Sequence, residues 1–165
     1  EVIKRNGEFT VNLALVENGI PVMGVIYVPV KDTLYVGSEE GAFKYEAYAT
    51  GGSRKEVLPL PKGNRSYTVV GSRSHMSSET EAFFEEKKKE YGEVEVMAVG
   101  SSLKLCMVAE GKADAYPRYA PTMEWDTGAG HAIALAAGFN VTKYNTKEPL
   151  AYNKEDLLNP WFLVA

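Results

Sequence analysis

Between residues 9 and 16 the apolar side chains of Phe9, Val11, Leu13 and Leu15 alternate with Thr10, Asn12 and Ala14. A period of two predicts a β-strand, and Glu17-Asn18-Gly19 supplies the tight turn after it. Residues 22–28 continue as a strand that ends at Pro29, with a second turn at Lys31-Asp32. Residues 34–36 and 42–45 follow as short strands separated by Glu40-Gly41. Short strands joined by tight turns predict an antiparallel meander. Residues 46–66, rich in Gly, Ser, Lys, Asn and Pro, read as an irregular connection.

From Tyr67 onward the pattern changes to strands alternating with helices. A strand over 67–70 runs into Gly71-Ser72-Arg73-Ser74-His75. Ser77 or Ser78 is placed to cap a helix reaching Tyr91, with Ala82, Phe83 and Phe84 inward and Gly92 as its stop. A strand over 93–99 leads through Gly100-Ser101-Ser102 into a helix over 103–110, closed by Gly111. Residues 113–116 form a strand entering Pro117-Arg118, and Asp126 stands at the front of a helix that runs to Ala137. Residues 141–144 and 161–164 complete the set. The fold class is α/β, α+β overall, with antiparallel strands over residues 1–60 and a layered α/β domain over residues 66–165.

Composition narrows the setting. The 165 residues carry a net charge of −4, so the overall field does not favour a nucleic-acid polymer, and cations must cluster if the ligand is an anion. Cys106 is the single cysteine, which excludes an internal disulfide and a Cys-rich zinc site and suits a reducing, cytoplasmic setting. No apolar run reaches the ~18–20 residues of a membrane helix. The chain opens at Glu1 without methionine or a targeting pattern, and is expected to be a fragment.

Three stretches repeat one arrangement of strand, small or polar loop, and helix start: residues 71–75, 100–104 and 125–130. Free backbone N–H groups and the positive end of a helix dipole suit phosphate at such junctions, although turn and cap chemistry accounts for each taken singly. Asp126 is either an N-cap or a carboxylate for a hard cation such as Mg²⁺, and one carboxylate is too few for a metal site. Lys104 is the only cation in the first turn of its helix, where it opposes the dipole, and a bound anion would supply a reason for it. Arg118 is a second candidate cation or a surface guanidinium. His75 ends a serine-rich loop, while His131 and Cys106 read as packing residues.

Together these pieces resemble the inositol monophosphatase superfamily, and within it the CysQ-type 3′(2′),5′-bisphosphate nucleotidases. The resemblance is carried by EVIKRNGEFTVNLALVENG at the start, GSRSH at 71–75, GSSLKLCMVAEGKADAYPR at 100–118, EWDTGAGHAIALAAG at 124–138 and LNPWF at 158–162. It implies a Mg²⁺-dependent phosphatase that converts adenosine 3′,5′-bisphosphate to AMP, with strands of a truncated N-terminal domain before a C-terminal α/β domain. It also implies that Asp126 is a metal ligand that touches substrate. His75, Gly100, Ser101, Lys104 and Arg118 match positions that hold the nucleotide and its phosphates. The family's Asp-Pro-Leu-Asp-Gly-Thr segment and its upstream glutamate have no counterpart here, so no further catalytic residue is assigned and the chain by itself is expected to be inactive. Inositol monophosphatases lack a lysine at the position of Lys104 and carry an acidic residue near Arg118. Two cations favour a ligand with a second phosphate. A phosphatase for inositol or sugar phosphates, and a phosphate-binding module without catalysis, are the competing readings.

Overall fold

The computed structural model describes residues 7–71 and 76–165. His75, with residues 72–74 before it, therefore lies outside the described residues. The first five strands, β1 (Val11–Glu17), β2 (Ile20–Val28), β3 (Thr33–Ser38), β4 (Gly41–Glu46) and β5 (Arg54–Leu58), form one antiparallel sheet in chain order. β5 corrects the expectation of an irregular connection over 46–66. Its charged sequence, Arg-Lys-Glu-Val-Leu, hides the strand, yet charge suits an edge strand that pairs on one side only.

The parallel pair β6 (Tyr67–Val70) and β7 (Val94–Met97) flanks the helix α1 (Ser78–Tyr91). Ser77 caps α1 through its hydroxyl, which accepts from Thr80 N–H at 3.3 Å, and Gly92 ends it at φ 80°. Phe84 is buried as expected, but Ala82 is exposed, because the helix turns its Phe84 side to Val69 and Ala115. A third sheet orders β8 (Tyr116–Arg118), β10 (Phe162–Val164) and β9 (Val141–Lys143). The expected strand over 113–116 is thus displaced toward Arg118, with Ala115 meeting Val69 in an isolated bridge. The chain is a mixed α/β protein with three helices among the described residues.

Helix α2 (Leu103–Ala109) and helix α3 (Glu124–Ala136) pack between these sheets. Gly24, Ile26, Tyr35, Ala42 and Leu58 face them from the five-stranded sheet, and Cys106, Ala129 and Ile133 answer from the helices. Burying a side chain such as Ile26 or Ile133 contributes roughly 1.5–3 kcal/mol. The approach is close enough to require glycine. A Cβ on Gly24 would lie 2.2 Å from the Ala129 carbonyl oxygen, and one on Gly37 would lie 2.5 Å from Ile133 Cα. The small residues of α3 answer the same need, since Gly128 faces Ala14 and a Cβ on Gly130 would meet Leu105 at 2.8 Å. Thr127-Gly128-Ala129-Gly130 is therefore helix interior and packing surface, not a phosphate loop.

The opposite face of the five-stranded sheet is also apolar. Register places Leu13, Val25, Val36, Phe43 and Val57 side by side across all five strands. Leu13 and Val57, at the two ends of this row, are 66% and 67% exposed. In β1 the apolar set therefore points away from the helices, and Asn12, Ala14 and Val16 point toward them.

Buried polar groups are tied across elements. Glu110, at the end of α2, is fully buried and accepts from Tyr35 Oη at 2.8 Å and from Lys44 Nζ at 2.9 Å. Lys112 Nζ reaches the same carboxylate at 2.7 Å. Burial alone would raise this carboxyl's pKa, but the bonds from Lys112, Lys44 and Tyr35 outweigh it and hold it below the ordinary glutamate range.

Candidate functional site

Ser101, Lys104, Arg118 and Asp126 line one cavity of about 480 Å³. They arrive from two strand–helix junctions: Ser101 from the turn before α2 and Lys104 from its first turn, then Arg118 from the end of β8 and Asp126 from the first turn of α3. The start of β1 closes the cavity through Thr10 and Asn12.

The serine loop is held in shape by that strand. Ser101 adopts φ 54°, a left-handed conformation uncommon for a residue with a side chain. Thr10 Oγ1 lies 2.8 Å from Ser101 Oγ and 2.7 Å from Ser102 Oγ, and it accepts from Asn12 Nδ2 at 3.0 Å. With the Asn12 amide on one lone pair, the Thr10 hydroxyl donates to one serine and accepts from the other. The Gly100 N–H donates to Glu8 Oε2 at 2.7 Å, so a carboxylate already occupies that donor.

Asp126 is not the N-cap of α3. Met123 holds that place and Asp126 is the third helical residue. Its Oδ2 accepts the Met123 N–H at 2.8 Å, while its own N–H donates to Met123 O at 3.0 Å. Among the described residues Oδ1 accepts no hydrogen bond, and Asp126 is the single carboxylate lining the cavity. No group of three or more His, Cys, Asp or Glu side chains among the described residues could hold a metal ion. Mg²⁺ takes about six oxygen ligands, so these residues do not by themselves form a Mg²⁺ site.

Arg118 donates from Nη2 to Pro121 O at 3.2 Å, and its buried Nε has no hydrogen-bond partner. The guanidinium lines the cavity and offers charged N–H donors of the kind that bind anions.

A hydrogen-bond chain behind Asp126 fixes the start of α3. Thr127 Oγ1 donates to Glu124 O at 3.2 Å and accepts from Tyr152 Oη at 3.1 Å and Asn159 Nδ2 at 3.0 Å. Tyr152 has then spent its proton, so the 2.9 Å contact with His131 Nδ1 makes Nδ1–H the donor. His131 Nε2 is left as a buried lone pair without a partner, and burial lowers the imidazole pKa to about 4. The expected packing role of His131 holds. Cys106 is likewise buried, with its thiol pKa pushed up by burial.

Sequence reasoning missed Thr10, Asn12, Thr127 and Asn159. Polar residues at i and i+2 on one face of an otherwise apolar strand were the available signal for the first two. For Thr127 and Asn159 the partners lie 32 residues apart, and no local pattern marks them.

A family model described as the inositol monophosphatase family matches residues 2–161. The chain is 46% identical over 166 residues to the 3′(2′),5′-bisphosphate nucleotidase CysQ of Escherichia coli K12, covering all of this chain and 63% of that protein. The crystal structure of CysQ from Bacteroides thetaiotaomicron, a bacterial member of the same family, superposes with TM-score 0.88 at 55% identity, covering 98% of this chain and 64% of that one. Staphylococcal IMPase-II shares the fold at TM-score 0.74 and 22% identity, over 99% of this chain and 61% of its own. The chain thus spans a little under two thirds of the length of the relatives it matches. With the model match running nearly end to end, the chain belongs to the inositol monophosphatase family.

Proposed function

We propose that the protein is a Mg²⁺-dependent 3′(2′),5′-bisphosphate nucleotidase that hydrolyses the 3′-phosphate of adenosine 3′,5′-bisphosphate, giving AMP and phosphate. The observation that carries this reading is that Lys104 and Arg118, two cations, line the same cavity as Asp126. A ligand with two phosphates carries charge for both cations, and the E. coli relative is a 3′(2′),5′-bisphosphate nucleotidase.

In this reading Arg118 uses its guanidinium and Lys104 its ammonium to hold phosphate oxygens, and the Ser101 hydroxyl donates beside them. Gly100 joins them if the ligand displaces Glu8 from its N–H, and His75 is assigned to the nucleotide by the family resemblance. Asp126 offers Oδ1 as one ligand to Mg²⁺, whose remaining ligands lie outside the described residues. When bound, Mg²⁺ supplies charge for the phosphate oxygens. Residues 1–60 are assigned to the N-terminal unit of the fold and 66–165 to its layered C-terminal α/β unit. Among the described residues no helix is long and apolar enough to cross a membrane.

Calorimetric titration of the 165-residue chain with adenosine 3′,5′-bisphosphate, AMP and inositol 1-phosphate tests the reading. The bisphosphate is expected to bind most tightly, and Lys104→Ala or Arg118→Ala to weaken it by about 1.5–3 kcal/mol, roughly 10- to 150-fold. Phosphate release is expected from a form extended to the length of the relatives and not from the chain alone. Equal binding of the bisphosphate and AMP, or a preference for inositol 1-phosphate, would overturn the substrate assignment.

A further inference from the structure

We propose that Asn159 is a positioning residue for the Asp126 carboxylate, acting through the turn that precedes α3; its catalytic meaning rests on the function proposed above. The segment 157–159 lies along this turn as a short antiparallel strap. Glu124 N–H donates to Leu157 O at 3.0 Å, Leu158 and Met123 form an isolated bridge, and Asn159 N–H donates to Thr122 O at 2.8 Å. The Asn159 side chain, 3% exposed, then reaches across the turn. Its Nδ2 donates to Met123 O at 2.9 Å and to Thr127 Oγ1 at 3.0 Å, with Thr122 Oγ1 at 3.2 Å.

Met123 is the residue through which this clamp reaches Asp126. Its carbonyl accepts from both Asn159 Nδ2 and Asp126 N–H, and its N–H binds Asp126 Oδ2. Asn159 therefore grips both sides of the residue that fixes one carboxylate oxygen: its side chain holds the Met123 carbonyl, and its N–H holds the Thr122 carbonyl of the peptide unit whose N–H binds Asp126. Its bond to Thr127 ties down the residue after Asp126. The amide orientation is set by chemistry. Met123 O can only accept, so the NH₂ group must face it. The consequence is that Asn159 Oδ1 is buried without a partner. A side chain that only filled space would not require an amide here, since an apolar group of the same shape would leave no orphaned oxygen.

The test is amide hydrogen exchange, followed by NMR on the 165-residue chain. Asn159→Asp keeps the shape and the backbone N–H but removes the NH₂ donors. The Met123 N–H is expected to lose at least tenfold in protection, while Ile133 and Ala134 in the middle of α3 change less than twofold. Thr127→Val, which removes one attachment point, is expected to give a smaller loss at the same amide and serves as the reading should the first variant fail to fold. Unchanged protection at Met123, or an equal loss along all of α3, overturns the proposal. In a form extended to the length of the relatives, Asn159→Asp is expected to raise the Mg²⁺ concentration for half-maximal rate with little change in nucleotide KM. Local loss of protection in the 165-residue chain, together with no phosphatase activity from a form extended to the length of the relatives, would support the positioning role and sink the nucleotidase reading instead.

Discussion

The hydroxyl of Tyr35 lies 2.8 Å from Glu110 Oε2, joining the third strand of the sheet to the end of α2 inside the core. Lys44 reaches the other oxygen, so a single carboxylate fastens two strands and a helix. Removing the carboxylate leaves the buried Tyr35 hydroxyl without its acceptor, and leaves Lys44 with Glu46 at 2.8 Å and Glu56 at 3.9 Å in place of its fully buried partner. Glu110→Ala is expected to cost about 3–5 kcal/mol in urea unfolding. Combining Glu110→Leu with Lys44→Met and Tyr35→Phe should restore most of it, because matched apolar groups need no charge balance. A triple variant as unstable as the single one would show that the cluster acts in some other way.

Acid should weaken the fold before the carboxylates titrate. His131 remains neutral in the folded chain down to about pH 4, whereas an unfolded histidine takes up a proton near pH 6.5. Between those values the unfolded state binds more protons, so stability falls as pH drops through the window, by about 3 kcal/mol over its full width. Urea midpoints at pH 7 and pH 4.5 should differ accordingly in the wild-type chain. In His131→Asn the difference should shrink, and an identical slope would assign the acid sensitivity elsewhere.

Where α3 crosses the sheet, a single methyl group is too much. Gly37→Ala would place its Cβ 2.5 Å from Ile133 Cα and 3.0 Å from Ala132 O, contacts that only a backbone shift can relieve. A loss of about 1–3 kcal/mol is expected, read as a lower melting temperature. Gly52→Ala, with its nearest neighbour 3.9 Å away, is the control and should be close to neutral.

Local chemistry made much of this structure readable in advance. Asn18-Gly19 between two strands, Ser77 before α1 and Gly92 after it act through neighbours a few residues away, and each does what its residue type predicts. Four of the six candidate site residues, Ser101, Lys104, Arg118 and Asp126, lie at strand–helix junctions that the alternating texture exposes, and they line one cavity. What stayed hidden depends on distance along the chain. Thr10 finds its serines 91 and 92 residues away, and Asn159 serves a turn 36 residues upstream. The inward face of β1 was hidden for another reason. Alternation fixes two faces but not which one meets the helices, and here the small and polar face does because α3 needs room.

The outer face of the five-stranded sheet carries a thermal consequence. Attraction between apolar surfaces weakens on cooling and is strengthened by sulfate, because it originates in water rather than in directional bonds. With Leu13, Leu15 and Val57 exposed along that face, the particle size of the 165-residue chain in light scattering should grow on warming from 4 to 37 °C below its melting point, and in ammonium sulfate. Leu13→Lys should suppress both responses while leaving the helix-facing side of the sheet untouched. A chain that is equally monodisperse at both temperatures would mean that this face is less sticky than its composition implies.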